Sequence, residues 1–221
     1  MDELVPLFPE VAADRWEVLR AMAALHREWN AKINLVSRKD MERLEWHHYA
    51  PCVAAVKFLK LMDGARVIDV GTGGGFPGLI LAALHPKARF TLVDSVGKKV
   101  AVVRDIADRL GLKNVETRNA RAETLGHEHD FVTGRAVADL RTFVHQTRQL
   151  VGRGQKHSLP NGILYWQGGD AAQEAAKSGL TPAFSFELRP LLRDDPKFEG
   201  KRIVLYRAQD LVRCRRPDPP A

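Results

Sequence analysis

The chain has 221 residues, 45% of them hydrophobic and 28% charged, with a formal net charge of +7. That length supports one buried core, and no apolar run approaches the roughly 18 residues of a membrane span. Two cysteines, Cys52 and Cys214, imply no disulfide framework; with no signal-peptide pattern, a reducing cytoplasm is expected. The basic balance favours a polyanionic partner, because neutralising phosphates releases counterions.

In chain order, Trp16, Leu19, Met22, Ala23, Leu25 and Trp29 recur at helical spacing and predict an amphipathic helix over 12–30. Ser37-Arg-Lys-Asp40 breaks that pattern, and a second helical stretch follows to about His48. Pro51 can open a third, carrying Val53, Val56, Phe58 and Leu59 up to the turn at Asp63-Gly64. Residues 1–62 are therefore expected to form a helical extension, packed against the remainder or capping its cleft.

From Arg66 the pattern alternates. Strands are expected at 66–70, 89–93, 113–117, 130–134 and 163–167, and helices at 77–84, 97–110, 121–125, 138–150 and 170–178. Strands at 183–189 and 201–207, joined by a polar loop, should add a closing hairpin. The expected fold is α/β over 63–210, a seven-stranded mixed sheet with helices on both faces. Arg153 to Gly162 reads as a polar loop near the carboxyl ends of the strands, and 211–221 as a fraying basic, proline-rich tail.

The stretch Arg66 to Gly78, taken with Asp94, carries the first functional signal. An apolar strand breaks into glycines and enters a helix, and the next strand ends on a carboxylate. This is how an α/β sheet holds an adenosine-containing cofactor: glycine backbone approaches the ligand, and the acid accepts ribose hydroxyls. Asp69, Gly71, Thr72, Gly73, Asp94 and Ser95 are the candidate contacts. Gly73-Gly-Gly75-Phe-Pro-Gly78 also satisfies G-x-G-x-x-G, which keeps a nicotinamide dinucleotide open. However, those glycines begin two residues after the strand ends, and Pro77 removes a donor that a pyrophosphate would want. Asp69, two residues before Gly71, suits a cofactor with an amino group and a sulfonium. S-adenosylmethionine is the expected cofactor.

Asp69-Val-Gly-Thr-Gly-Gly-Gly-Phe-Pro-Gly78, Phe90-Thr-Leu-Val-Asp-Ser-Val-Gly-Lys-Lys99 and Gly134-Arg-Ala136 together resemble the bacterial ribosomal RNA small-subunit methyltransferase G family, also called glucose-inhibited division protein B. Trp29-Asn30, Asn34-Leu35, Asp40 and His48 match its N-terminal segment. The resemblance implies a class I, Rossmann-like methyltransferase that modifies N7 of one guanosine in 16S ribosomal RNA. Its cofactor residues map onto Gly71, Phe76, Asp94, Ala122, Glu123 and Arg135. The substrate would be the small ribosomal subunit or an assembly intermediate, met by a cytoplasmic monomer. Two departures stand out. The family's usual Arg-His-x-x-Asp-Ser is His47-His-Tyr-Ala-Pro-Cys52 here, and the Lys-Gly that many members have in the fifth strand is Gln167-Gly168. Nearby Arg153 or Lys156 could replace the missing charge.

Guanine N7 has a free lone pair, so such a site needs positioning and a suitable field, with no general base. Arg135 is the candidate positioning residue. Lys98, Lys99, Arg104 and Arg121, with Arg118 nearby, are the expected RNA contacts. Cys52 reads as a small buried hydrophobe, and His48 with Cys52 lacks further ligands for a metal. A dinucleotide oxidoreductase remains an alternative, though without an evident tyrosine-lysine or histidine pair. A non-catalytic RNA-binding module on the same fold is the third reading.

Overall fold

The computed structural model describes residues 1–126, 129–168 and 171–217. Among them, seven strands form one sheet: β1 Arg66–Val70, β2 Arg89–Asp94, β3 Val115–Asn119, β4 Phe131–Arg135, β5 Gly162–Gln167, β6 Phe184–Glu187 and β7 Arg202–Arg207. Their order is β3-β2-β1-β4-β5-β7-β6. The first five strands in that order run parallel, and β7 pairs antiparallel with both β5 and β6. The expected mixed sheet is present, with β7 inserted between β5 and β6.

Strand order reverses between β1 and β4, and α/β sheets bind ligands beyond the carboxyl ends at such a switch point. The central strands are buried on both faces, which explains the near-continuous apolar runs of β1 and β5. Helices α1 Ala13–Asn30, α4 Gly78–Leu84 and α5 Gly97–Arg109 cover one face, in a core shared with Phe90, Leu92 and Leu164. Helix α6, Leu140–Thr147, buries Phe143 and Val144 in the second cluster, with Ile68 and Val132.

The second and third helical stretches are more broken than their spacing suggests. Helix α2 covers only Arg38–Glu42; a π-turn at Glu45–Tyr49, α3 at Ala50–Val53 and a 3-10 turn at Ala54–Lys57 follow. Pro51 supplies the physical reason for the π-turn. It has no N–H to offer the carbonyl of His47 four residues back, so the regular ladder cannot run through it. Ala50 N–H instead bonds the Glu45 carbonyl, five residues back.

Tryptophans tie this extension to the sheet. The indole of Trp29 donates to Asp105 on α5, that of Trp46 to Asp195 between β6 and β7, and that of Trp166 on β5 to the Pro51 carbonyl, each at 2.7 Å. Each bond turns a bulky apolar contact into a directional one.

Other boundaries shift by a few residues, β3 most clearly, from 113–117 to Val115–Asn119. The expected helix at 121–125 is a 3-10 turn over Ala122–Thr124, and 138–150 is α6 followed by a 3-10 turn at Arg148–Leu150. Asp139 caps α6, accepting from the N–H groups of Arg141 and Thr142. Helix α7 spans Ala171–Ser178; the expected first residue, 170, and the tail from 218 onward lie outside the described residues.

The polar loop 153–162 corrects one expectation. It leads into parallel β5, so it sits at the amino ends of the strands. Its Ser158 hydroxyl donates to Phe58 O, and its His157 ring accepts from Met62 N–H, both at the start of the sheet. Arg153 and Lys156 are therefore at the wrong end to substitute for a cation at Gln167.

Candidate active site

Two clefts open beyond the carboxyl ends of the strands, and Ala136 lines both. The first, of about 320 Å³, is bounded by Gly71 after β1, Asp94 at the end of β2 and Ser95 after it, Ala122 and Glu123 after β3, and Val137 after β4. That volume lies at the lower end of small-molecule sites.

The glycine turn shapes its floor. Gly71 has φ +67°, and a Cβ there would lie 2.7–2.8 Å from the methyl groups of Val137. The close approach demands glycine. Thr72 N–H donates to Val93 O, and Gly73 N–H donates to the Asp94 carboxylate at 3.0 Å. Asp94 also accepts from Val96 N–H at 2.9 Å and remains 7% exposed at the strand tip. A carboxylate has about four acceptor sites, so two backbone bonds orient it and leave capacity for ribose hydroxyls. This cradle fits an adenosyl group.

Asp69 has a different task from the one expected. It is fully buried, with Oδ1 accepting from the Thr133 hydroxyl at 2.7 Å and Oδ2 from Gly78 N–H at 3.1 Å. Burial raises its carboxyl to about 6. Asp69 braces β1, β4 and the start of α4 beneath the turn, without opening into the cleft. The same bonds weaken the dinucleotide reading. Gly73 and Gly78, the outer glycines of G-x-G-x-x-G, spend their N–H groups on Asp94 and Asp69, leaving neither for a pyrophosphate.

Phe76 backs the turn from the other side. Its ring stacks on His26 at 4.7 Å and meets His48 and Tyr49 at 5.1 and 5.7 Å. His26 joins the extension to the turn, with Nε2 donating to Gly74 O and Nδ1 accepting from the Tyr49 hydroxyl, both at 2.7 Å. That assignment requires a neutral ring. Burial agrees, pushing His26 down to about 4, His85 to about 4, and His48 to about 3 with help from Arg135.

Acidification is thereby expected to destabilise the protein. The unfolded chain takes up these protons near pH 6.5, whereas the native state stays neutral to about pH 4, so stability falls as pH drops through that window. Each histidine contributes a slope of about 1.4 kcal/mol per pH unit, and Asp69, raised to about 6, offsets one of the three. Chemical denaturation at pH 7, 6 and 5 measures the slope. His26→Asn should flatten it by about one histidine's share; parallel curves for the two proteins would contradict this assignment.

The second cleft, also about 320 Å³, lies beside the first and runs from Ala136 to Gln167, Glu174, Phe198 and Lys201. Arg135 lines it, and does not line the first cleft. Its guanidinium donates to His47 O at 3.0 Å and His48 O at 3.2 Å. The first of these is the carbonyl that Pro51 cannot serve. Arg135 thus links the end of β4 to the extension, at the junction of the clefts.

The expected RNA cations divide. Lys99 and Arg121 line the cofactor cleft. Lys98 is exposed at the start of α5. Arg104 lies farther down α5, donating to the Thr117 hydroxyl on β3, and Arg118 pairs with Glu116 on the same edge strand. Neither lines a cleft beyond the strand ends. Cys52 is fully buried, donates to His48 O at 3.1 Å, and is pushed up to about 12 by burial. A thiol held protonated is no nucleophile. Among the described residues, no group of His, Cys, Asp or Glu is placed to hold a metal ion.

Val137 and Gln146 line the cofactor cleft, and Lys201 lines the second, without having been singled out in the sequence. Val137 follows the motif Gly134-Arg-Ala136 directly, so adjacency could have found it. Gln146 lies on α6 and Lys201 immediately precedes β7, and only the tertiary crossovers bring them in.

A family model described as rRNA small subunit methyltransferase G matches residues 15–177. The ribosomal RNA small subunit methyltransferase G of Christiangramia forsetii is 39% identical over 204 residues, covering 92% of this chain and 95% of its own. That of Bacteroides fragilis is 41% identical over 175 residues, covering 79% and 85%. Among solved structures, a SAM dependent methyltransferase from Aquifex aeolicus shares the fold, with TM-score 0.52, 15% identity, and coverage of 77% of this chain and 97% of that one.

Proposed function

This chain belongs to the rRNA small subunit methyltransferase G family, and we propose from that premise that it methylates N7 of one guanosine in 16S ribosomal RNA, using S-adenosylmethionine. The reading is carried by one coincidence. A family match over residues 15–177 falls on a cleft whose glycine turn and Asp94 suit an adenosyl group.

S-adenosylmethionine would supply an electrophilic methyl group. Asp94 would hold the ribose hydroxyls, while Gly71 allows close backbone approach. Ala122 and Glu123 would flank the adenine, and Val137 would close the opposite wall. The guanine would enter from the second cleft, across Ala136, under the positive field of Arg135. N7 attacks through its own lone pair, so these residues need only align donor and acceptor and exclude water.

Lys99 and Arg121 would meet phosphates beside the cofactor, and exposed Lys98 would extend that contact. The partner on this reading is 16S ribosomal RNA in the small subunit or an assembly intermediate, and the protein acts as a cytoplasmic monomer. No described helix is long and apolar enough to cross a membrane.

Small subunits and naked 16S RNA from a strain deleted for this gene provide the test. Each is incubated with the protein and methyl-labelled S-adenosylmethionine, then digested to nucleosides for mass spectrometry. Labelled 7-methylguanosine, near one per 16S molecule with one of the two substrates, is expected. Labelled RNA without 7-methylguanosine would overturn the position of transfer; no label at all would favour the non-catalytic reading.

A further inference from the structure

The second cleft has a polar end that methyl transfer alone does not require. Glu174 on α7 lines it, and one of its oxygens accepts from Gln167 Nε2 at 3.1 Å. Gln167, at the end of β5, is 4% exposed, so its amide is a fixed support. A neutral amide orients the carboxylate without cancelling its charge, and among the described residues it uses only part of the carboxylate's acceptor capacity. Trp166 and Phe198 provide apolar walls, and Arg135 and Lys201 add positive charge. Burial and the nearby charges of Lys197 and Arg135 hold the Lys201 ammonium below its usual value.

An acceptor at one place, apolar walls, and cations elsewhere describe a receptor for a flat heterocycle with a donor edge and an attached phosphate. Guanosine has that distribution. Its N1–H and N2–H form a donor edge, and N7 lies on the far side of the ring system. Adenine offers a lone pair at N1 and no amino group at C2, so a carboxylate would repel it.

Resting on the N7 reading above, we infer that Glu174, held by Gln167, accepts N1–H and N2–H of the target guanine while N7 faces the shared wall at Ala136. Glu174 then has a second effect. As N7 attacks, its lone pair forms the new N–C bond, the S–C pair returns to sulfur, and the positive charge moves onto the purine. A carboxylate bonded to N1–H stabilises that charge more in the transition state than in the neutral ground state. Glu174 therefore acts on kcat as well as on KM.

Calorimetric titration of GMP, IMP and AMP into protein saturated with S-adenosylhomocysteine reads the recognition step. GMP should bind tightest, IMP, which keeps N1–H but lacks the amino group, less tightly, and AMP roughly tenfold or more below GMP. Glu174→Gln should erase the difference between GMP and AMP, with affinity for S-adenosylhomocysteine unchanged. Its kcat/KM for 16S RNA should fall roughly ten- to a hundredfold, partly in kcat, with Glu174→Asp recovering part of the loss. Equal binding of GMP and AMP, no binding of any nucleotide, or wild-type turnover by Glu174→Gln would overturn the assignment. Failure of the N7 reading is distinguishable, because wild-type protein would then form no 7-methylguanosine.

Discussion

Asp94→Ala is expected to lower affinity for S-adenosylhomocysteine at least about a hundredfold and to abolish methyl transfer at ordinary cofactor concentrations. The size follows from hydrogen-bond energetics. Bonds to a charged acceptor are worth about 1.5–3 kcal/mol each, and a ribose offers two hydroxyls. Losing about 3 kcal/mol in total is a factor of roughly a hundred. The backbone would also be affected, because Asp94 anchors Gly73 N–H and Val96 N–H. Asp94→Asn separates the two effects, since its one carbonyl oxygen can keep an anchor while the charge is gone. Calorimetry on both variants, with thermal unfolding as a control, provides the check. An Asp94→Ala protein binding within threefold of wild type would remove Asp94 from the cofactor site.

The second large effect is expected from Gly71→Ala. Two costs combine at this position. A non-glycine residue at φ +67° costs about 1–2 kcal/mol. The added Cβ would also stand 2.7–2.8 Å from the methyl groups of Val137, which must move. Val137 is 38% exposed and lines the cleft, so it can yield only by altering the wall that faces the cofactor. Stability should therefore fall by only about 1–2 kcal/mol, while cofactor affinity falls tenfold or more. Gly64→Ala is the matched control. Gly64 has φ +78° with nothing within 4 Å of its would-be Cβ, so it carries the backbone cost alone. Equal cofactor affinity in the two variants would show that the contact with Val137 is unimportant.

The cofactor half of this site is legible in the sequence because it is built locally. A strand, a turn of glycines and a second strand ending in Asp94 span fewer than 30 residues, and each part follows from backbone sterics. Hydrophobic patterning likewise locates the strands to within a few residues. Placement is less legible than composition. Asp69 and Asp94 are both strand carboxylates, yet one is buried as a brace and the other is presented at a strand tip. Sequence spacing cannot separate them; the register of β1 against β4, which brings Thr133 opposite Asp69, does.

The acceptor half is non-local and correspondingly hard to read. Arg135 looks like a free cation at a strand tip, but the carbonyls that occupy it belong to a helical segment nearly ninety residues earlier. Glu174 and Lys201 line one cleft only because β7 returns between β5 and β6. The polar loop 153–162 shows the converse error. Its composition suits a ligand-binding loop, and only the direction of β5 reveals that it lies at the opposite end of the sheet.

Calorimetric titration of the folded wild-type protein with S-adenosylhomocysteine, run beside NADH, tests the adenosyl cradle most directly. One site for S-adenosylhomocysteine and no heat with NADH are expected. Silence with S-adenosylhomocysteine, or saturable binding of NADH in its place, would contradict the account.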